Sequence, residues 1–274
     1  MTPLAFDSVG RLDDPAVVLV HGWLGDRRDW DAVVAALRAA PGLRLLRLEL
    51  PGHGASPPAG PDTAHAVTAL WATLDAAGVG RATLVGYSMG GRLALSAALS
   101  APRRCAGVVI IAASPGLQDA DARAARARLD DARAEELVQL GLARFVEAWY
   151  DQPLFRGLAQ FPAARAALAE RRAEGDAAAM AATLRALSVG RQPWLGSLLG
   201  GLPPRSRWLA GELDTAYADL ARRAAAVAPD GSATLIPGCS HALLHEAPEA
   251  VAAAITGSCA EALDRWPGPA RREL

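Results

Sequence analysis

The chain is predicted to fold as an α/β protein, a mostly parallel central sheet flanked by helices and interrupted by a helical insertion. Three observations carry this. Short apolar runs alternate with helical patterns along the chain. Gly- and Pro-containing turns follow the apolar runs. Residues 118–199 contain no β-branched run at all, too long a stretch for one ordinary crossover.

The elements follow in order. Ala16–Val20 (AVVLV) reads as a buried strand, and Leu43–Leu50 (LRLLRLEL) as a second, ended by Pro-Gly-His-Gly. Ala82–Gly86 (ATLVG), Gly107–Ala112 (GVVIIA), Arg207–Ala210 (RWLA) and Ala233–Ile236 (ATLI) supply the later strands. Helical patterns cover 29–40, 63–77, 90–100, 216–228 and 247–264. Residues 1–117 and 200–274 then form the core. Residues 118–199, rich in Ala, Arg, Glu and Leu and punctuated by Gly141, Pro153, Pro162 and Gly175, form a cap of about four helices.

Composition narrows the function. With 274 residues, 51% hydrophobic and 21% charged, the chain can bury a sizeable core and is not disordered. Its 28 basic residues, all Arg, balance 29 acidic ones. The formal charge of −1 argues against a nucleic-acid or anionic-membrane partner. Cys105, Cys239 and Cys259 are widely spaced, with no CxxC pair, so neither a disulfide framework nor a zinc site is expected. The first residues lack the basic start and long apolar run of a signal peptide, and no apolar run reaches the roughly 18 residues of a membrane span. A cytoplasmic protein is expected.

The strongest chemical signal is Gly86-Tyr87-Ser88-Met89-Gly90, a G-x-S-x-G between an apolar strand and the helical run LALSAAL. In that setting small residues let a tight turn present Ser88 at the start of a helix as a nucleophile elbow. Such a serine needs an acid and then a histidine downstream. Of five histidines, His21, His53 and His65 precede Ser88 and read as turn and loop structure. His241 follows the last strand by one short loop and is the expected base, and His245 packs or caps nearby. The His241/His245 pair lacks the Glu placement of H-E-x-x-H, so no metal is expected. For the acid, Asp214 and Glu212 both follow the RWLA strand, and Asp214, just past the turn, is preferred. His21-Gly22-Trp23 after the first strand has the form of a loop whose Trp23 N–H, with that of Met89, makes an oxyanion hole.

Together these features resemble the α/β-hydrolase fold superfamily over nearly the whole chain. Further segments narrow the resemblance: Arg92 straight after the double glycine, Ser114-Pro-Gly-Leu-Gln118 ahead of an Arg-rich helix, Trp149-Tyr150-Asp-Gln-Pro-Leu-Phe155, Arg171-Arg172, and Gly190-Arg-Gln-Pro193. This set is similar to the 2-succinyl-6-hydroxy-2,4-cyclohexadiene-1-carboxylate synthase (MenH) family of menaquinone biosynthesis. The resemblance implies a lyase that expels pyruvate from the tricarboxylate 2-succinyl-5-enolpyruvyl-6-hydroxy-3-cyclohexene-1-carboxylate, with no cofactor. It implies Ser88, Asp214 and His241 as the triad, and Tyr87, Arg92, Arg126, Trp149, Tyr150 and Arg172 as substrate-binding residues. Arg171 competes with Arg172, and the Trp149-Tyr150 pair reads equally well as packing within the cap. Arg123 and Arg128 are expected on a solvated helix face. The competing reading is a serine hydrolase of esters or C–C bonds, with Ser88 as covalent nucleophile.

Overall fold

In the computed structural model, residues 2–37 and 42–264 are described. Seven strands form one sheet: β1 (Phe6–Val9), β2 (Ala16–Val20), β3 (Arg44–Leu48), β4 (Ala82–Tyr87), β5 (Cys105–Ile111), β6 (Arg207–Gly211) and β7 (Ser232–Ile236). Their spatial order is β1-β3-β2-β4-β5-β6-β7. All neighbours pair in parallel except β1, which runs antiparallel along β3 at the edge. Sequence patterning does not reveal β1. The segment FDSV has one neighbouring strand and is only partly buried, so it needs no apolar run.

The middle strands are apolar throughout because both faces of the sheet are covered. Val18, Val20, Leu84, Val108 and Ile110 point to one side, and there they pack with α2 (Thr63–Ala76) and α3 (Met89–Ser100). Val17, Leu19, Val85, Val109 and Ile111 alternate to the other side, against α1 (Asp31–Leu37) and, near the end of the described chain, Val251, Ala252 and Ile255. The helix expected over 29–40 begins as a 3-10 turn, Arg27–Trp30, before α1, and its residues 38–40 lie outside those described. The expected core segment 200–274 likewise extends, over 265–274, outside the described residues.

Between β5 and β6 the chain carries α4 (Ala120–Tyr150), a 3-10 segment Pro153–Gln160, α5 (Pro162–Ala173), α6 (Ala177–Ala186) and a second 3-10 segment, Gly196–Gly201. Asp119 starts α4 by accepting the Ala122 N–H at 2.7 Å, and Asp176 starts α6 by accepting that of Ala179 at 3.0 Å. Gly141, at φ 73°, breaks α4 internally without ending it. The two ends of the insertion are tied together where the Leu195 N–H donates to the Pro115 carbonyl at 2.8 Å. After β6 come α7 (Thr215–Val227), α8 (Leu243–Glu246) and α9 (Pro248–Asp264). Pro248 cannot continue α8, which is why a short helix precedes α9.

Candidate active site

Ser88 sits between the last residue of β4 and the first of α3, with φ 52° and ψ −114°. A non-glycine residue held there is strained by about 1–3 kcal/mol. The surroundings enforce it. The Ser88 N–H donates to the Ile111 carbonyl at 2.9 Å, and its carbonyl accepts from Arg92 N–H at 3.1 Å. The flanking glycines are needed for close approach. A Cβ on Gly90 would run into the backbone carbonyls of Val20 and His21, and one on Gly86 into that of Gly90.

His241 lies in the loop after β7. Its Nδ1–H donates to Asp214 Oδ2 at 2.7 Å, and its Nε2 stands 3.0 Å from Ser88 Oγ. With Nδ1 carrying the proton, Nε2 is the acceptor for the serine hydroxyl. Asp214 and His241 are buried, while Ser88 is partly open. Asp214 precedes the first residue of α7, where an Asp side chain normally caps the helix; here it makes no capping bond and turns to His241 instead. Glu212 is exposed and accepts the Gly238 N–H at 3.3 Å, away from the histidine. The histidine loop is fixed from two directions. Glu246 accepts both the N–H and the hydroxyl of Ser240 at 2.5 Å, and the His241 N–H donates to the Leu154 carbonyl of the inserted segment at 3.1 Å. Burial raises the pKa of Glu246, against the two Ser240 bonds that favour its charged form.

The remaining histidines lie elsewhere in role. His21 accepts the Leu50 N–H at 3.0 Å and His53 that of Leu24 at 3.2 Å, so both pin loops around the strand ends. Burial drives the pKa of His53 down to about 3, keeping it neutral. His245 lines the cavity beside Ser88, and burial lowers it to about 4.

Above Ser88 is a cavity of about 230 Å³. Gly22, Trp23, Tyr87, Ser88 and His241 form its floor, and Arg126, Arg133, Trp149, Tyr150, Phe155 and Arg172 reach it from the inserted helices, with Tyr217 from α7. Tyr217 rests on His241, ring centroids 4.8 Å apart, and Tyr87 and Phe155 flank the same imidazole at 5.5 and 5.7 Å. Burial raises the pKa of Tyr87, Tyr150 and Tyr217, so these phenols remain neutral hydrogen-bonding groups. Among the described residues the Trp23 N–H makes no backbone hydrogen bond, and Met89 opens α3, where an N–H has no acceptor within the helix.

The arginines fall into two groups. Arg172 lines the cavity and Arg171 does not. Arg172 Nη2 grips both oxygens of the buried Asp29 at 2.7 Å, its Nε donates to the Tyr150 hydroxyl at 3.3 Å, and its Nη1 is buried without a hydrogen-bond partner. Arg171 donates to the same Asp29 at 2.8 Å. Burial, the largest single influence, opposes the charge on Asp29, but Arg172 together with its other neighbours outweighs it and the carboxyl stays below its ordinary pKa. On α4, Arg126 Nε donates to the buried Asp130 at 2.9 Å. Arg92 differs from the sequence expectation of a pocket residue. It is not on the cavity wall, and its Nη1 is spent on the Leu187 carbonyl at 2.8 Å and Gln192 Oε1 at 2.9 Å. Burial without a carboxylate partner lowers its pKa to about 10. Sequence reasoning misses Arg133, Tyr217 and Asp29, and it names Phe155 and His245 without placing them on the cavity. Tyr217, in the first turn after Asp214, His245, four residues after His241, and Phe155, in the Trp149–Phe155 segment, each carry a positional signal.

Residues 17–254 match the model of the alpha/beta hydrolase family. A 2-succinyl-6-hydroxy-2,4-cyclohexadiene-1-carboxylate synthase of Enterobacter sp. (strain 638) is 34% identical over 247 residues, 90% of this chain and 92% of that protein. The chain belongs to the 2-succinyl-6-hydroxy-2,4-cyclohexadiene-1-carboxylate synthase family, within the α/β hydrolases. MenH from S. aureus superposes with a TM-score of 0.87 at 27% identity, covering 95% of this chain and 99% of that one. The chloroplast protein PHYLLO of Arabidopsis thaliana is 33% identical over 78% of this chain, which spans 13% of PHYLLO's length. The sheet and a G-x-S-x-G turn are common to the wider α/β-hydrolase fold, so the reaction follows from the cavity and not from the fold. No helix among the described residues is long and apolar enough to cross a membrane.

Proposed function

We propose that this synthase-family chain eliminates pyruvate from 2-succinyl-5-enolpyruvyl-6-hydroxy-3-cyclohexene-1-carboxylate, giving 2-succinyl-6-hydroxy-2,4-cyclohexadiene-1-carboxylate. The observation that carries the reading is a Ser88–His241–Asp214 relay, at 3.0 and 2.7 Å, opening into a cavity walled by guanidinium groups. A generic ester pocket has no use for several cations, whereas a tricarboxylate has, and planar forks suit carboxylates better than ammonium groups do.

His241 accepts the Ser88 hydroxyl proton, and Asp214 stabilises the imidazolium that forms. Ser88 Oγ then removes the ring proton beside the succinyl ketone. The C–H electron pair becomes a dienolate whose oxygen is held by the Trp23 and Met89 N–H groups. Collapse of the dienolate forms the second ring double bond as the C–O bond to the enolpyruvyl group breaks, and the departing enolate takes the proton held by the His241 imidazolium to become pyruvate, which restores the neutral histidine. Arg126 and Arg172 hold carboxylates, and the buried, carboxylate-free Arg92 adds positive potential behind Arg126. Tyr87, Trp149 and Tyr150 pack against the ring. The enzyme is placed in the cytoplasm, with a small anion and no nucleic acid as partner; the balanced formal charge of −1 supports the latter.

The test is release of pyruvate from the tricarboxylate, followed by coupling to lactate dehydrogenase. Pyruvate formation that depends on Ser88 supports the lyase. Faster turnover of a neutral ester than of the tricarboxylate overturns it in favour of a serine hydrolase.

A further inference from the structure

We infer that Arg133 is a further substrate-binding residue, receiving a carboxylate of the tricarboxylate on the α4 wall of the cavity; this rests on the lyase reading above. Arg133 lies seven residues beyond Arg126, two helical turns on, so the two side chains leave the same face of α4. Both line the cavity that holds Ser88.

The Arg133 guanidinium is held in place but not used up. It lies over the Trp149 ring, 5.6 Å from its centroid, within reach of a cation–π attraction. Its Nη1 is 3.6 Å from Asp130 Oδ1, close enough for attraction and too long for a hydrogen bond. That carboxylate is already engaged: Oδ1 accepts from Arg126 Nε at 2.9 Å and Oδ2 from the Ser188 hydroxyl at 2.7 Å. Two guanidinium groups therefore face one buried carboxylate, and the wall keeps a net positive charge. Arg133 itself is 27% exposed, so it is partly desolvated at the cavity edge and its N–H donors are open to an incoming anion.

The arginine tally points the same way. The cavity wall carries Arg126, Arg133 and Arg172, while Arg92 spends its Nη1 on two neutral acceptors outside the wall. Three guanidinium groups thus meet a substrate with three carboxylates, and Arg133 takes the place on the wall that sequence reasoning assigned to Arg92.

The experiment compares pyruvate release by the wild type, Arg133→Gln, Arg133→Ala, Arg133→Lys and the exposed same-helix control Arg128→Ala, with thermal melts of each. Gln keeps part of the aliphatic stem but removes the charge and the guanidinium over Trp149, so the melts are what separate recognition from packing. The expected result is a KM raised roughly tenfold to hundredfold in Arg133→Gln and Arg133→Ala, the range set by a charged hydrogen bond. kcat should change less, Arg133→Lys should recover part of the loss, and Arg128→Ala should match the wild type. A wild-type KM in folded Arg133→Gln overturns the assignment. So does a loss confined to kcat that tracks a lower melting temperature, which is the signature of a packing role. If the wild type releases no pyruvate, the lyase reading fails and this inference with it; if it does and the folded Arg133 variants keep the wild-type KM, the Arg133 assignment alone fails.

Discussion

Replacing Asp29 by Asn tests whether the Arg172 wall of the cavity is held by a buried ion pair. Asp29 is 2% exposed and joins the short 3-10 turn before α1 to α5, accepting from Arg172 at 2.7 Å through both oxygens and from Arg171 at 2.8 Å. Arg172 is itself 4% exposed, and its Nη1 has no hydrogen-bond partner, only the Asp26 carboxylate 3.9 Å away. The Asn amide keeps the shape but removes the charge and turns one acceptor into a donor facing a donor. Breaking a buried pair by removing one partner costs about 3–5 kcal/mol, because the other charge stays buried. Against a total stability of about 5–15 kcal/mol that is a large fraction, and it corresponds to a Tm lower by roughly 10 °C. Urea unfolding followed by Trp fluorescence at pH 7 measures it. The effect has a definite pH dependence. The Asp29 carboxyl has its pKa lowered in the fold, so its contribution is fully present above the unfolded carboxylate pKa of about 3.9 and is lost as pH falls through the lower folded value. The wild-type advantage over Asp29→Asn should therefore be constant from pH 8 to 5 and shrink only below about pH 4. Adding Arg172→Met to Asp29→Asn should restore part of the stability, since only the partly exposed Arg171 then lacks its carboxylate. A loss under about 1 kcal/mol, or no recovery in the double variant, would refute the argument.

Further expectations concern catalysis. Ser88→Ala and His241→Ala should each abolish most pyruvate release, and the double variant should be little worse than either, since the two act as a unit; multiplicative losses would place them in separate steps. Asp214→Asn should reduce kcat by about 10⁴ in a folded protein by releasing the His241 tautomer, and Glu212→Gln should be near neutral; the reverse pattern would move the acid to Glu212. Arg126→Ala should lower kcat/KM for the tricarboxylate roughly tenfold to hundredfold and leave a neutral ester almost unaffected, whereas equal losses on both substrates would deny it a carboxylate.

Much of this molecule is legible without coordinates because the relevant information is local or ordered along the chain. The strand, tight turn and helix around Ser88 are contiguous, and small residues at 86, 90 and 91 are required by the close backbone approach there. Asp214 and His241 are found because each follows a strand in the order that a parallel sheet imposes. The antiparallel edge strand β1 escapes notice since partial burial leaves no apolar alternation to read.

The cavity wall is a different matter. An Arg on a helix can face solvent, pack or reach a ligand, and periodicity alone does not choose among these. Which face of α4 turns inward is decided by its packing against α5 and α6, and that choice brings Arg133 onto the wall beside Arg126 and leaves Arg128 exposed. Asp29 and Arg172 are 143 residues apart, and Arg92 and Gln192 are 100 apart. Such pairs exist only once the inserted helices close over the sheet, because a buried charge must find whichever partner the tertiary fold brings within reach. The sequence by itself determined six of the seven strands, the serine turn and the Asp214 and His241 that hydrogen-bond toward it; tertiary packing alone decided which guanidinium groups stay open to the cavity and which are consumed by the protein.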